Sequence, residues 1–98
     1  MDKTSHKIKA LCIALALIND PQDVQMFLND LCTPQELKNF AERWDVCRLL
    51  DSNLYTYRQI NELTGISLAT ITRVARFLKN ENNKGYITTL NKLKREIK

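Results

Sequence analysis

The residues best suited to chemistry lie between Leu68 and Arg76, where Ala69, Thr70, Thr72, Arg73 and Arg76 share one face of a helical repeat. Small and hydroxyl side chains let a helix approach base edges closely, and arginine reads guanine or clamps phosphate. This is chemistry of recognition, not of turnover. Directly before these residues stands Gly65, placed where a turn between two helices requires a positive φ that glycine adopts without a Cβ clash. The segment Tyr57–Leu78 therefore reads as a helix-turn-helix. A short first helix carries Ile60 and Leu63, Ile66 plugs the space between the helices, and Ser67 caps the second helix. Ile71, Val74 and Leu78 form its buried stripe.

Charge follows the same division. Residues 19–55 carry Lys38, Arg43 and Arg48 against seven acidic residues, net −4. Residues 68–98 carry eight lysines and arginines against Glu81 and Glu96, net +6, within a chain total of +4. A basic segment that begins at the second helix of the motif is what phosphate binding needs. The terminal run Lys92–Lys98 reads equally well as a solvated helix end, where cations favour the dipole.

Other chemistries find little support. The single histidine, His6, stands near the N-terminus, and no nucleophile–base pair or phosphate-cradling glycine loop is evident, so an enzyme is not expected. Glu42 and Asp45 read as a solvated helix face. Cys12, Cys32 and Cys47 form no C-x-x-C or cysteine–histidine cluster, so no metal site is expected. Each has apolar neighbours, and all three read as buried, reduced thiols. The apolar run Ala10–Ile18 is too short to span a membrane, which takes about 20 residues. It reads as a buried first helix, and the protein as cytoplasmic.

The elements that must position the motif are all helical. With 98 residues, 44% of them hydrophobic, and only two glycines and two prolines, the chain reads as one all-α domain spanning residues 1–98. Helix one is expected over Ser5–Ile18. Asp20-Pro21 opens helix two, which runs to about Leu31 with Val24, Phe27, Leu28 and Leu31 on one face. Thr33-Pro34-Gln35-Glu36 opens helix three to about Leu50, with Leu37, Phe40, Ala41, Trp44, Cys47 and Leu50 as a wide apolar stripe. Helix four opens at the capping box Thr56–Gln59 and ends near Thr64, and helix five covers Leu68–Lys79. Glu81–Gly85 reads as a loop, and a sixth helix covers Ile87–Ile97 with Ile87, Leu90, Leu93 and Ile97 in register. Helices one and two are apolar for their length, and a homodimer with these helices packed across a two-fold axis is expected; the alternative is that they fill the core of the monomer.

Ala41-Glu42-Arg43-Trp44 and Ala69–Arg76, together with Thr33-Pro34 and Gly65, resemble the tryptophan repressor superfamily, and within it the bacterial Trp-repressor-like branch labelled YerC/YecD. The match runs without a gap from about Leu31 to Leu78 and is weaker outside. The resemblance implies a six-helix fold, an intertwined homodimer, and two recognition helices entering successive major grooves about 34 Å apart on a palindromic site. It implies double-stranded DNA as partner, with Arg58, Leu68, Ala69, Thr70 and Thr72 facing it. Arg76 joins them by its exposed position.

Tryptophan as corepressor is not expected. The family's repressor holds its ligand between two arginines, matched here by Arg43 and Arg73, but a glycine after the second arginine is Val74 and a serine that meets the ligand's amino group is Phe77. Overfilling such a site costs about 1–3 kcal/mol, and an unpaired ammonium adds to that. Three readings of the pair stay open. Arg43 and Arg73 bind another anionic effector; or Val74 and Phe77 fill the pocket and no effector is needed; or Arg73 contacts phosphate while Arg43 reaches a carboxylate on another helix. A sequence-specific regulator, most simply a repressor acting by occupancy, is the leading reading. A protein-interaction module built on the same scaffold is the alternative.

Overall fold

Hydroxyl, carboxylate and proline residues mark where the helices begin. Asp20 caps α2 (Pro21–Leu31), accepting a hydrogen bond from the Gln22 N–H at 2.9 Å with Pro21 at the first helical position. Thr33 and Glu36 exchange the two bonds of a capping box at the head of α3 (Pro34–Ser52), at 2.8 and 3.1 Å. Thr56 and Gln59 repeat that exchange at the head of α4 (Tyr57–Thr64), again at 2.8 and 3.1 Å. Ser67 caps α5 (Leu68–Lys79). With α1 (Lys3–Leu17) and α6 (Gly85–Ile97), these are the six helices of a computed structural model that describes residues 3–80 and 82–97. Among the described residues there is no strand, and no helix is long and apolar enough to cross a membrane.

The chain divides into two units, residues 1–37 and 38–98. In the first, no residue of α1 or α2 is buried. Ile8, Ile13, Leu17, Met26 and Leu31 are exposed, while Val24, Phe27 and Leu28 are half-buried. Within a single copy of the chain, this corrects the expectation of a buried first helix. It also corrects the expected burial of two thiols, since Cys12 is exposed and Cys32 only half-buried. Periodicity identifies apolar faces, but nothing in this unit covers them.

The second unit holds the core. Val46, Cys47 and Leu50 of α3, Ile60 of α4, Ile66 of the turn, Ile71, Val74, Ala75 and Leu78 of α5, and Leu90 of α6 form one buried cluster, with Trp44, Leu49 and Tyr86 packed against it. Cys47 is the one thiol buried as expected. A salt bridge of 2.8 Å from Lys94 Nζ to Asp51 ties α6 to the end of α3.

Four details differ from expectation. Leu63 is exposed, because Ile60 alone on α4 points inward. Phe40 and Ala41 lie at the surface, which narrows the stripe of α3 to its second half. The sixth helix starts two residues early: Gly85 is its first residue, and Lys84 takes the left-handed conformation at φ 59° before it. On that helix Leu90 is buried while Ile87 and Leu93 are exposed; the expected loop residue Glu81 and the side chain of Ile97 lie outside the described residues.

Candidate nucleic-acid interface

The turn between α4 and α5 is braced by its own polar groups. Gly65 sits at φ 75°, and its N–H donates to the Asn61 carbonyl at 2.9 Å to close α4. The Thr64 hydroxyl donates to the Ile60 carbonyl at 2.7 Å and accepts from the Ile66 N–H at 3.1 Å. The Asn61 amide reaches over the turn to the Ile66 carbonyl at 2.8 Å. With Ile66 buried beneath, these bonds fix the angle at which α5 leaves the turn.

At the head of α5 the Ser67 hydroxyl accepts from the Thr70 N–H at 3.2 Å and donates to the Thr70 hydroxyl at 3.1 Å. Thr70 is half-buried, so its hydroxyl helps to hold the cap. Leu68, Ala69, Thr72, Arg73 and Arg76 all lie exposed. Ile71, Val74, Ala75 and Leu78 hold the other side of the helix in the core. Of the face named from the sequence, all but Thr70 is exposed on the outer side of α5, and Arg58 is exposed on α4 of the same motif. Arg76 and Lys79 in the last turn also complement the helix dipole.

Of Arg43, Arg73, Val74 and Phe77, two line a common cleft. Val74 is buried among the core residues. Arg73 and Phe77 line an open cleft of about 440 Å³ with Trp44, Asn83, Tyr86 and Thr89. Arg43 does not line it; its guanidinium lies 5.9 Å from the centroid of the Phe40 ring. The Phe77 ring lies against the Arg73 guanidinium, 4.7 Å from centroid to carbon. Tyr86 packs on Trp44 with ring centroids 6.5 Å apart. Burial, with a contribution from Cys47, pushes the Tyr86 phenol above its ordinary range, while Arg43 and Arg73 pull it back. Sequence reasoning missed Tyr86, Asn83 and Thr89, because the turn after α5 brings them to the cleft and no spacing announces it. Among the described residues no cluster of histidine, cysteine and carboxylate side chains could hold a metal ion.

The family model for the Trp repressor protein matches residues 6–94. The chain belongs to the Trp repressor family. The Bacillus subtilis protein YerC is 39% identical to it over 95 residues, covering 96% of this chain and 89% of the relative. A Trp operon repressor homolog of Vibrio campbellii is 33% identical over 64 residues, 65% of this chain and 64% of that one. The solved TrpR-like protein of Eubacterium eligens superposes with a TM-score of 0.81 at 33% identity, covering 90% of this chain and 89% of its own. Family and fold are those of a DNA-binding transcriptional regulator rather than an enzyme. In helix-turn-helix proteins generally, the second helix of the motif is the one that enters the major groove.

Proposed function

We propose that the protein is a cytoplasmic, sequence-specific repressor that binds a palindromic operator as a homodimer, without tryptophan as corepressor. The observation that carries this reading is α5: a helix capped at its head and anchored by four buried residues, whose outer face offers Leu68, Ala69, Thr72, Arg73 and Arg76 and which contains no acidic residue. Arg58, Leu68, Ala69 and Thr72 meet the DNA, with Thr70 shaping the head of the helix. Arg76 supplies phosphate contact.

Dimerisation is supported by the uncovered apolar residues of α1 and α2, with Leu17 78% exposed. A second copy that covers them also sets the two recognition helices at a fixed separation, and the operator is palindromic because the dimer is two-fold symmetric. Independence from tryptophan is supported by Phe77, whose ring occupies the guanidinium face of Arg73 where an indole would stack. No effector is needed in this reading.

The test is selection from random duplex DNA at physiological salt, with and without tryptophan, followed by sequencing of the enriched sites. A palindrome with half-sites one helical turn apart, unchanged by tryptophan, is expected. Thr72→Ala then weakens binding to that site selectively, and Arg76→Ala weakens it across sequences while lowering the salt dependence. Unchanged affinity in both variants at one salt concentration would remove α5 from the interface.

A further inference from the structure

The head of α5 runs Ser67-Leu68-Ala69-Thr70-Ile71-Thr72, and none of these side chains is an amide, a guanidinium, an ammonium or a carboxylate. Those are the groups that read three of the four bases in the major groove. Arginine or lysine pairs with guanine, asparagine or glutamine with adenine, and a carboxylate with cytosine. Thymine differs, because its C5-methyl group offers an apolar surface. At the head of α5, Ile71 is turned into the core, and the Thr70 hydroxyl lies 3.1 Å from the Ser67 hydroxyl that caps the helix. Leu68, Ala69 and Thr72 face outward. They stand three and four residues apart, so they make one patch on the helix surface. All three side chains present methyl groups. Leu68 is 51% exposed, a large aliphatic side chain in solvent on a helix whose other large aliphatics, Ile71, Val74 and Leu78, are buried.

We propose that Leu68, with the methyl groups of Ala69 and Thr72, reads the operator by apolar contact with the C5-methyl group of thymine. This rests on the DNA-binding reading above and names a base that it leaves open. In a helix-turn-helix the N-terminal residues of the second helix contact base edges, and here those residues have no forked hydrogen-bonding group to offer a purine. Leucine set against the polar edge of guanine, adenine or cytosine strips water from donors and acceptors without replacing their hydrogen bonds. Set against thymine, it buries a methyl group. The choice of base thus comes from a penalty on three bases as well as a gain on the fourth. Arg73 and Arg76 stand farther along the helix and have no part in this discrimination.

The test uses the duplex enriched by the selection described above. Each thymine of one half-site, together with its symmetry mate in the other, is replaced in turn by deoxyuridine. That change removes the C5-methyl group and keeps every hydrogen-bonding group of the base. Wild type, Leu68→Ala and Thr72→Val, each shown by thermal melting to be folded, are titrated against each duplex at one salt concentration. Burial of one methyl group corresponds to about a fourfold change in affinity, so wild type should lose roughly fifteenfold at one thymine pair, where both half-sites are altered. Leu68→Ala should bind the thymine duplex more weakly and no longer distinguish thymine from uracil at that pair, a coupling read from the cycle of protein and DNA changes. Thr72→Val keeps the methyl group without the hydroxyl and should keep the discrimination. A half-site without thymine, or equal binding of every uracil duplex by wild type, overturns the inference and leaves the operator, and so the DNA-binding reading, standing. A uracil loss of full size in Leu68→Ala also overturns it, since the loss would then come from duplex shape. Loss of the discrimination in Thr72→Val does the same, by giving the readout to a hydroxyl. If no site is enriched, the DNA-binding reading fails first, and the thymine contact falls with it.

Discussion

Helices α1 and α2 leave Ile8, Ile13, Leu17, Met26 and Leu31 at the surface, whereas α4 and α5 bury Ile60, Ile71, Val74, Ala75 and Leu78 against α3 and α6. The two regions draw on similar aliphatic residues, so composition does not separate them. They differ in whether the chain supplies a second surface. Within residues 38–98 the inner face of the helix-turn-helix is covered by the core cluster of that unit. Residues 1–37 present apolar surface whose burial would yield about 1.5–3 kcal/mol for each large side chain covered. The helix-turn-helix is thus covered within its own unit, while the segment proposed to pair two copies leaves its large apolar side chains exposed.

The sharpest way to break this contrast is to truncate one side chain from each region. Ile60→Ala, fully buried, should lower unfolding stability by about 2–5 kcal/mol, seen as a fall in the urea midpoint at every protein concentration. Leu17→Ala should leave the midpoint nearly unchanged in dilute protein and instead raise the concentration at which sedimentation detects the dimer. A loss of comparable size from Leu17→Ala in dilute protein would show that α1 belongs to a core within the chain.

Smaller effects should come from the turn. An added Cβ at Gly65 meets nothing within 4 Å, so the cost of Gly65→Ala is that of its backbone conformation at φ 75°, about 1–2 kcal/mol. Gly65→Asn should cost less, since asparagine tolerates that region better. Equal melting temperatures for Gly65→Ala and wild type would mean that the turn relaxes out of the left-handed conformation. At the head of α5, Ser67→Ala should cost about 1 kcal/mol and free the Thr70 hydroxyl. The check is a thermal melt read beside DNA affinity.

Much of the second unit was legible because local signals and tertiary packing agree there. The bounds of α5, the Ser67 cap, the Thr56–Gln59 box, the plug at Ile66 and the stripe Ile71–Val74–Leu78 all follow from side-chain chemistry within one or two turns. The exposure of Leu63 and of α1 was not legible, because periodicity shows which face is apolar and not what lies opposite. The early start of α6 was hidden by Gly85, which signals a loop in sequence although Lys84 makes the left-handed step. The ring contacts of Phe77 and the place of Tyr86 depend on how the turn after α5 brings α6 back. The aromatics in the sequence suggest such contacts without locating them.

The mildest probe changes no residue, because the cysteines report on both regions. Cys12 is exposed in the first unit, and Cys47 is buried in the second. Burial, and then the Asp51 carboxylate, push the Cys47 thiol from 9.0 up to about 11. Exposed Cys12 should react with a thiol reagent within the native protein, while Cys47, buried and held as the thiol, waits for unfolding. If α1 pairs two copies, labelling of Cys12 should also slow as concentration rises, whereas Cys47 should not respond. The same shift sets a pH dependence. Below about 9 the thiol is protonated whether the chain is folded or not, and it has no effect on the balance. Between there and about 11 the unfolded chain gives up the proton while the folded chain keeps it, so stability falls as pH rises through that window. Cys47→Ala should remove that component of the alkaline loss, and Cys12→Ala should leave it in place. An identical alkaline profile in both variants would show that the two thiols do not mark different interiors.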